Sequence, residues 1–172
     1  MDSSPSGRIP IMNEVPTTPL QVGWREWVAL PELGIKRIKA KIDTGARTSS
    51  LHAFAVVIFN EDGVRKVRFG LHPRQNSNTP ERFYEAEVIE EDRWVTDSGG
   101  HREQRPVIRT TLTVGTVSWP IEVTLASRDS MRFRLLLGRS AIQGHLTIDP
   151  SASYMTGKRS RPRKTEFNEE RT

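Results

Sequence analysis

The chain has 172 residues, no cysteine and a formal net charge of +5, from 26 Lys and Arg against 21 Asp and Glu. This length predicts one domain that can bury a core without metals or disulfides, and the lack of cysteine excludes disulfides and thiol catalysis. No apolar run reaches transmembrane length, and the N-terminus lacks the order of a secretion signal. The sequence therefore predicts a cytoplasmic protein with no membrane partner.

Composition divides the chain into three parts. Residues 1–20 are rich in Ser, Pro and Thr without a sustained period, which predicts a flexible leader. Residues 21–157 carry the patterns of a folded domain. Residues 158–172 begin with a basic run and predict a disordered tail, although such a run also attracts polyanions such as nucleic acid.

Within the domain, alternating apolar residues predict strands rather than helices. The patterns cover residues 24–30, 38–42, 53–59, 67–71, 82–89, 107–114 and 117–125, with turn signals at 31–34 and 60–63. One short helix is predicted, beginning near Ser140 and stopping by Gly144. The expected fold is all-β: a small closed β-barrel with one short C-terminal helix.

A tetrapeptide, Asp43-Thr44-Gly45-Ala46, directly follows the strand pattern of residues 38–42. A strand ending in Asp-Thr-Gly places a carboxylate at the start of a tight turn. Thr44 adds a hydroxyl beside the acid, and Gly45 allows backbone angles closed to other residues. Aspartic proteases present their catalytic carboxylate in this way, so Asp43 is the candidate catalytic residue.

A second motif lies downstream, where Leu136-Leu137-Gly138-Arg139 precedes the short helix. Together the two motifs resemble those of retropepsins, in which an apolar-apolar-Gly-Arg segment packs behind the Asp-Thr-Gly loop. A closer resemblance covers residues 22–154, through segments 40–53, 125–128, 131–139 and 148–150. These segments look like the retropepsin-like family often labelled "ATP-dependent zinc protease", which is associated with ATP-grasp glutamate ligases. The resemblance implies a retropepsin-type fold, peptidase chemistry on glutamate-rich protein tails and a functional link to a glutamate ligase.

The Asp-Thr-Gly motif occurs once, whereas aspartic-protease chemistry needs two carboxylates sharing a proton. The sequence therefore predicts a twofold homodimer in which Asp43 faces its symmetry mate. The resemblance implies that Thr44 braces this pair through its hydroxyl, and Gly45 would leave room for the substrate backbone. Because two like charges a few ångströms apart do not both ionise freely, a bell-shaped pH–rate profile is expected.

Ala46 and Arg47 are candidate substrate-binding residues beside the catalytic loop. Retroviral enzymes carry an acidic residue at the position of Arg47, so the ion pair that Arg139 makes in those enzymes is not predicted here. One hypothesis is that Arg47 selects acidic side chains, since a guanidinium can hold a carboxylate in a bidentate pair. The alternative is a surface arginine paired with a local carboxylate.

A glycine-rich turn at Ser98-Gly99-Gly100 is the candidate for the hairpin flap that retropepsins close over their substrate. The three residues are predicted to bind substrate. The alternative is an ordinary surface hairpin.

No metal and no cofactor are predicted. The four histidines have no zinc-site spacing, and no phosphate-binding glycine loop is present, so any ATP requirement is assigned to a partner. The predicted function is that of an aspartic endopeptidase. Its alternative is a non-catalytic retropepsin-like binding module for acidic partners, and a weaker one is a nucleic-acid binder acting through the basic tail.

Overall fold

The computed structural model describes residues 18–72, 81–127 and 132–157. The basic tail lies outside these residues, as does the predicted leader except for its last three positions. Within the described residues are a 3₁₀ helix at Pro31–Leu33 and a single α-helix, α1 (Arg139–Ile142). The strands, in chain order, are β1 (Leu20–Gly23), β2 (Arg25–Leu30), β3 (Ile35–Ile42), β4 (Ser49–His52), β5 (Phe54–Glu61), β6 (Val64–Leu71), β7 (Arg82–Thr96), β8 (Arg102–Val114), β9 (Val117–Ala126), β10 (Leu135–Leu137) and β11 (Leu146–Asp149).

Six strands form a closed ring of hydrogen bonds in the order β2-β3-β10-β4-β9-β8, and β8 returns to β2 through the pairing of Ala29 with Thr113. Strands β7, β6 and β5 extend the sheet beyond β8, and β1 pairs in parallel with β11. The prediction of an all-β fold with a closed sheet and one short helix is confirmed. The helix begins one residue before the predicted position.

The core lies inside the ring because alternate residues of each strand point to one face. On β2 the inward positions include Val28 and Leu30, and on β3 they include Ile38 and Ala40, all at most 3% exposed. The other strands of the ring contribute in the same way, with buried side chains that include Leu51, Ile108, Leu112, Val123, Leu125, Leu135 and Leu137. Strand β6, outside the ring, adds Val67 and Phe69 to the same cluster. Burial of this apolar surface is the main stabilising contribution to the fold.

One polar residue, Glu26, shares the inward face of β2 and is fully buried. Its carboxyl group accepts hydrogen bonds from the backbone N–H groups of Gly23 and Met155, both at 2.8 Å, and of Thr156 at 3.3 Å. The Thr156 hydroxyl donates a fourth bond at 3.1 Å. Glu26 therefore fixes the segment after β11 against the start of β2.

The β7–β8 hairpin is longer than the alternating patterns predict. Strand β7 continues past residue 89 to Thr96, and β8 begins at Arg102 rather than near residue 107. Register shifts interrupt the pairing on either side of Glu90, so the strand continues without a regular apolar period. Polar side chains support this extension: Arg93 donates hydrogen bonds to Glu90 and Glu122.

Strand β10 brings the two sequence motifs together. It runs parallel to β3, with Leu137 beside Ile42, and antiparallel to β4, with Leu136 beside Ser50. The residues after β3 and after β10 therefore lie at the same edge of the ring. No helix in the described part of the chain has the length and apolar character needed to cross a membrane.

Candidate active site

Asp43 is the first residue after β3, and the neighbouring strand fixes its backbone. Its N–H donates to the Leu137 carbonyl at 2.8 Å. Its carboxyl oxygen Oδ1 accepts from the Gly45 N–H at 3.0 Å, so the side chain closes its own turn. The residue is half-buried, which leaves the carboxyl group accessible while its position is held.

The reason for glycine at position 45 differs from the one predicted. Gly45 is not among the residues with positive φ, so the turn does not need a left-handed backbone there. A Cβ on Gly45 would instead lie 3.3 Å from Oδ1 of Asp43, which is a tight contact. Glycine at this position leaves room for the carboxyl group.

The Gly-Arg motif lies directly behind this loop, as the sequence predicts. A Cβ on Gly138 would come within 2.6 Å of the Thr48 backbone, so only glycine permits this approach without displacement. The Arg139 N–H donates to the Ala46 carbonyl at 2.8 Å, and its guanidinium Nη1 donates to the Thr44 carbonyl at 3.0 Å. Arg139 thus binds loop carbonyls, where the retroviral arrangement would place a carboxylate.

A cavity of about 860 Å³ opens beside Asp43. Its walls come from the catalytic loop, from the β7–β8 hairpin and from the start of α1. The lining residues are Asp43, Gly45, Ala46, Arg47, Thr48, Ser50, Arg93, Trp94, Val95, Thr96, Asp97, Ser98, Arg105, Glu122, Leu136, Arg139 and Ser140. The volume is within the usual range for ligand sites in proteins.

The structure brings most of the predicted site residues to this cavity. Asp43, Gly45, Ala46, Arg47 and Ser98 line it. Thr44, Gly99 and Gly100 lie at the tips of the same two loops but do not line it: Thr44 is exposed, and Gly100 has the positive φ of +84° that a tight hairpin turn demands. The Asp-Thr-Gly loop and the candidate flap therefore share one site.

Arg93 is held in the cavity wall by two carboxylates. Its Nε lies 2.7 Å from Glu90 and its Nη1 lies 2.8 Å from Glu122. Burial lowers the pKa of Arg93, but the hydrogen bonds to Glu122 and Glu90 outweigh burial and raise the pKa above its ordinary value. This guanidinium is a fixed positive group whose charge is balanced inside the protein.

Arg105 is the buried cation of the site, with 6% of its surface exposed. It forms an ion pair with Glu103 and donates to the Ser50 hydroxyl at 3.2 Å. Arg47 and Arg139 differ from these two arginines, because neither forms an ion pair with another described residue. The cavity therefore carries two internally balanced guanidinium groups and two that are open to an anionic ligand.

Sequence reasoning missed Ser50, Arg93, Trp94, Arg105 and Glu122 as cavity residues. Trp94 gave the clearest signal in the sequence, as a large aromatic residue close to the Ser98-Gly99-Gly100 turn, and in the structure it is 58% exposed. It lies under the Arg102 guanidinium, 5.0 Å from the ring centroid. The others come together only through the order β4-β9-β8-β7, which no local pattern reveals.

The described side chains do not fit the zinc in the label of the resembling family. No group of three or more His, Asp or Glu residues within the described ranges lies close enough to hold a metal ion.

Curated relatives and a solved structure are similar to this chain over most of its length. A protein named probable alpha-L-glutamate ligase from Parasynechococcus marenigrum is 46% identical over 141 residues, and one with the same name from Shewanella pealeana is 42% identical over 138 residues. These alignments cover 82% and 80% of this chain but 30% of each relative, so the chain spans about 30% of their length. A crystal structure of a Legionella pneumophila protein of unknown function is 27% identical, with a TM-score of 0.66, and covers 81% of this chain and 100% of that one.

The family comparison agrees with the two motifs and with the closed sheet that joins them. Residues 21–159 match the family model described as RimB-like, retropepsin-like aspartic endopeptidase RimB. The match includes the Asp43 loop, the β7–β8 hairpin and the Gly138-Arg139 segment. The chain belongs to the RimB-like family of retropepsin-like aspartic endopeptidases.

Proposed function

We propose that this protein is an aspartic endopeptidase that hydrolyses peptide bonds in glutamate-rich protein tails, with a catalytic pair formed by Asp43 from each subunit of a homodimer. The observation that carries the proposal is the placement of Asp43. Its carboxyl group is fixed in its own turn and lies beside a cavity of about 860 Å³, with the glycine-tipped hairpin on the other side. An acid held in position beside a substrate-sized space is the arrangement that general acid–base catalysis needs.

In the proposed reaction, one Asp43 is ionised and its symmetry mate is protonated. The ionised carboxylate takes a proton from a water molecule as the water oxygen attacks the scissile carbonyl carbon. The protonated carboxyl group gives its proton to the carbonyl oxygen, forming a neutral tetrahedral diol. Collapse of the diol breaks the C–N bond and yields an acid and an amine. The carboxyl group that took the water proton gives it to the leaving nitrogen, and the other carboxylate takes a proton from a diol hydroxyl.

The surrounding loop would hold this pair in place. Hydrogen bonds from Gly45 and to the Leu137 carbonyl fix Asp43, and Arg139 ties the loop at Thr44. Thr44 would brace the pair across the subunit interface. Ala46 and Arg47 would contact the substrate on one side, while Ser98, Gly99 and Gly100 would close over it from the hairpin.

The preference for glutamate-rich tails is supported by charge and by the named relatives. Arg47 and Arg139 line the cavity without an ion pair among the described residues, so they offer donors to substrate carboxylates. The relatives named probable alpha-L-glutamate ligase contain a segment similar to this chain. If this similarity reflects a functional link, the peptidase would cut the glutamate-rich tails that a glutamate ligase extends.

The test is cleavage of a peptide library that includes oligoglutamate tails, followed by mass spectrometry from acidic to neutral pH. Wild type is compared with Asp43→Asn and with the matched control Asp149→Asn. Asp149 also ends a strand and accepts a hydrogen bond from the N–H two residues on, at 2.9 Å, but it does not line the cavity. Cleavage that is lost in Asp43→Asn and kept in Asp149→Asn supports the proposal; equal cleavage by wild type and Asp43→Asn contradicts it.

A further inference from the structure

A cationic surface covers the outward face of the β2–β3 pair, next to the candidate active site. Its members are Arg25 on β2 and Arg37, Lys39 and Lys41 on β3; we name these four residues the cationic face. Arg25 lies opposite Lys41 in the strand register. None of the four forms an ion pair with any other described residue, in contrast to Arg65, Lys66 and Arg93 elsewhere on the sheet.

The cationic face is continuous with the cavity beside Asp43. Residues paired across neighbouring strands point to the same side of a sheet, and Arg25, Lys41, Leu136 and Ser50 form such a row across β2, β3, β10 and β4. Leu136 and Ser50 line the cavity. One surface therefore runs from the cavity floor to the four cations.

The spacing of the cations matches an extended acidic peptide. Arg37, Lys39 and Lys41 occupy alternate positions of one strand, so they repeat about every 7 Å, and Asp43 follows two residues later. Alternate side chains of an extended glutamate tail repeat at the same distance. A tail along β3 could meet successive cations while its next residues reach the catalytic loop.

Aromatic rings hold three of the four cations in place and favour an acidic peptide over RNA. Arg37 lies 4.3 Å and Lys39 lies 5.1 Å from the Trp27 ring centroid, and Arg25 lies 4.5 Å from that of Trp24. Stacking of nucleic-acid bases needs open ring faces, whereas Trp24 and Trp27 already have cations over their rings. Arg37 is exposed and Arg25 and Lys39 are half-buried; Nε of Arg25 donates to the Ser153 hydroxyl at 3.1 Å, and the other donors of these cations remain available to carboxylates.

From these observations we infer that the cationic face is a second binding site, outside the catalytic cavity, for the acidic segment of the substrate. The inference rests on the proposed function, because its ligand is the tail that the peptidase would cut. The site would raise the local concentration of the tail at Asp43 without taking part in bond cleavage. Its loss should therefore raise KM and leave kcat unchanged.

The direct test measures binding of a fluorescein-labelled oligoglutamate peptide by fluorescence anisotropy in the Asp43→Asn background, where proposed cleavage is absent. Arg37→Gln is compared with Arg68→Gln, since Arg68 is also an exposed strand arginine over an aromatic ring, 5.0 Å from Phe83. We expect Kd to rise about threefold in Arg37→Gln, to rise further when Lys39→Gln is added, and to stay unchanged in Arg68→Gln. Lys41→Gln, an exposed position, serves as a second variant if Arg37→Gln does not fold.

Three results would overturn the inference. The first is an equal loss of affinity in Arg37→Gln and Arg68→Gln, which would show that peptide binding depends only on the net charge of the protein. The second is equal binding of an oligoglutamine peptide. The third is tighter binding of a single-stranded oligouridylate than of oligoglutamate, which would make RNA the ligand.

Steady-state cleavage by the otherwise wild-type chain separates this inference from the proposed function. If Asp43→Asn abolishes cleavage and Arg37→Gln leaves KM unchanged, the peptidase proposal stands and the second binding site is rejected. If wild type binds oligoglutamate through the cationic face but cuts no peptide, the binding site stands and the peptidase proposal is rejected.

Discussion

At the scale of single residues, the site depends on side chains that close their own turns. Asp43 accepts a hydrogen bond from Gly45 at 3.0 Å, and Asp149 accepts bonds from the Ser151 N–H at 2.9 Å and hydroxyl at 2.6 Å. Such bonds fix a carboxyl group without distant partners, which is why a short motif can predict the position of Asp43. Glu26 differs from this residue, because only its partner Gly23 is close in the sequence, whereas Met155 and Thr156 lie 129 and 130 residues away.

Gly45→Ala should lower kcat while the protein stays folded. The new Cβ would lie 3.3 Å from Oδ1 of Asp43, and the backbone there is not left-handed, so the methyl group displaces the carboxyl group rather than the chain. A small misplacement of a catalytic group costs on the order of tenfold or more in rate. The measurement is kcat with oligoglutamate peptides, with Gly157→Ala as control because no atom lies within 4 Å of its Cβ position. An unchanged kcat would contradict this account of Gly45.

Glu26→Ala should lower the free energy of unfolding by about 3 kcal/mol, since it leaves buried donors without an acceptor. Glu26→Gln should cost about half as much. The retained amide oxygen can still accept from Gly23 and Met155, while the amide nitrogen cannot accept from Thr156. Urea unfolding of the three proteins measures the difference. Equal stability of Glu26→Ala and wild type would show that the segment after β11 is held by other contacts.

The turn at Asp149 should contribute stability that disappears in acid. Hydrogen bonds from the Ser151 hydroxyl and N–H lower the pKa of Asp149 from its usual 3.8. A carboxyl group with a lowered folded-state pKa stabilises the fold above its unfolded pKa, and this contribution is lost as the pH falls through the folded value. Thermal midpoints of wild type and Ser151→Ala should therefore differ at neutral pH and converge below the usual pKa. Ser118→Ala, which removes a hydroxyl pair with Thr113, should show a difference that does not depend on pH.

At the scale of elements, the strand patterns and the two motifs could be predicted, but several strand lengths and the cavity walls could not. The alternation in β3 is local, so it predicts both the strand and the position of Asp43. The extension of β7 depends on Arg93 and its bond to Glu122, 29 residues away, and therefore leaves no apolar period to detect. The alternation of β2 predicts that Glu26 points inward. It does not predict the partner Met155, which lies 129 residues away in the sequence.

The contact between the β10–α1 junction and the catalytic loop should not tolerate a side chain at position 138. In Gly138→Ala the Cβ would lie 2.6 Å from the Thr48 backbone, so the loop must move. We expect a loss of about 2 kcal/mol in the free energy of unfolding together with reduced kcat. Thermal unfolding and peptide cleavage measure the two effects, again beside Gly157→Ala. If Gly138→Ala keeps the wild-type kcat and free energy of unfolding, the loop can move to accept the side chain without loss of stability or activity, and the expectation is wrong.

At the scale of the whole molecule, one chain supplies one Asp-Thr-Gly loop, whereas the proposed chemistry needs two. Twofold symmetry would meet this need, because it places a surface patch opposite its own copy. The closed ring leaves the Asp43 loop and the β7–β8 hairpin at one edge, where both can meet a second subunit. The homodimer stays a prediction.

Specific activity should therefore fall on dilution. If two Asp43 side chains form the catalytic pair, activity per chain follows the dimer fraction and declines below the dimer dissociation constant. Analytical ultracentrifugation and cleavage assays over the same concentrations measure the two curves. A mixture of wild type and excess Asp43→Asn should lose activity further through mixed dimers. Constant specific activity in a sample that sediments only as monomer would contradict the paired mechanism.

The position of β10 has a consequence for the time at which the protein becomes active. The Thr44 carbonyl is bound by Arg139, 95 residues later in the sequence, and the backbone of Asp43 is bound by Leu137. A chain emerging from the ribosome therefore exposes its Asp-Thr-Gly loop long before the segment that organises it has been synthesised. The nascent protein would have no assembled Asp-Thr-Gly loop, and the proposed peptidase activity could begin only after β10 enters the ring.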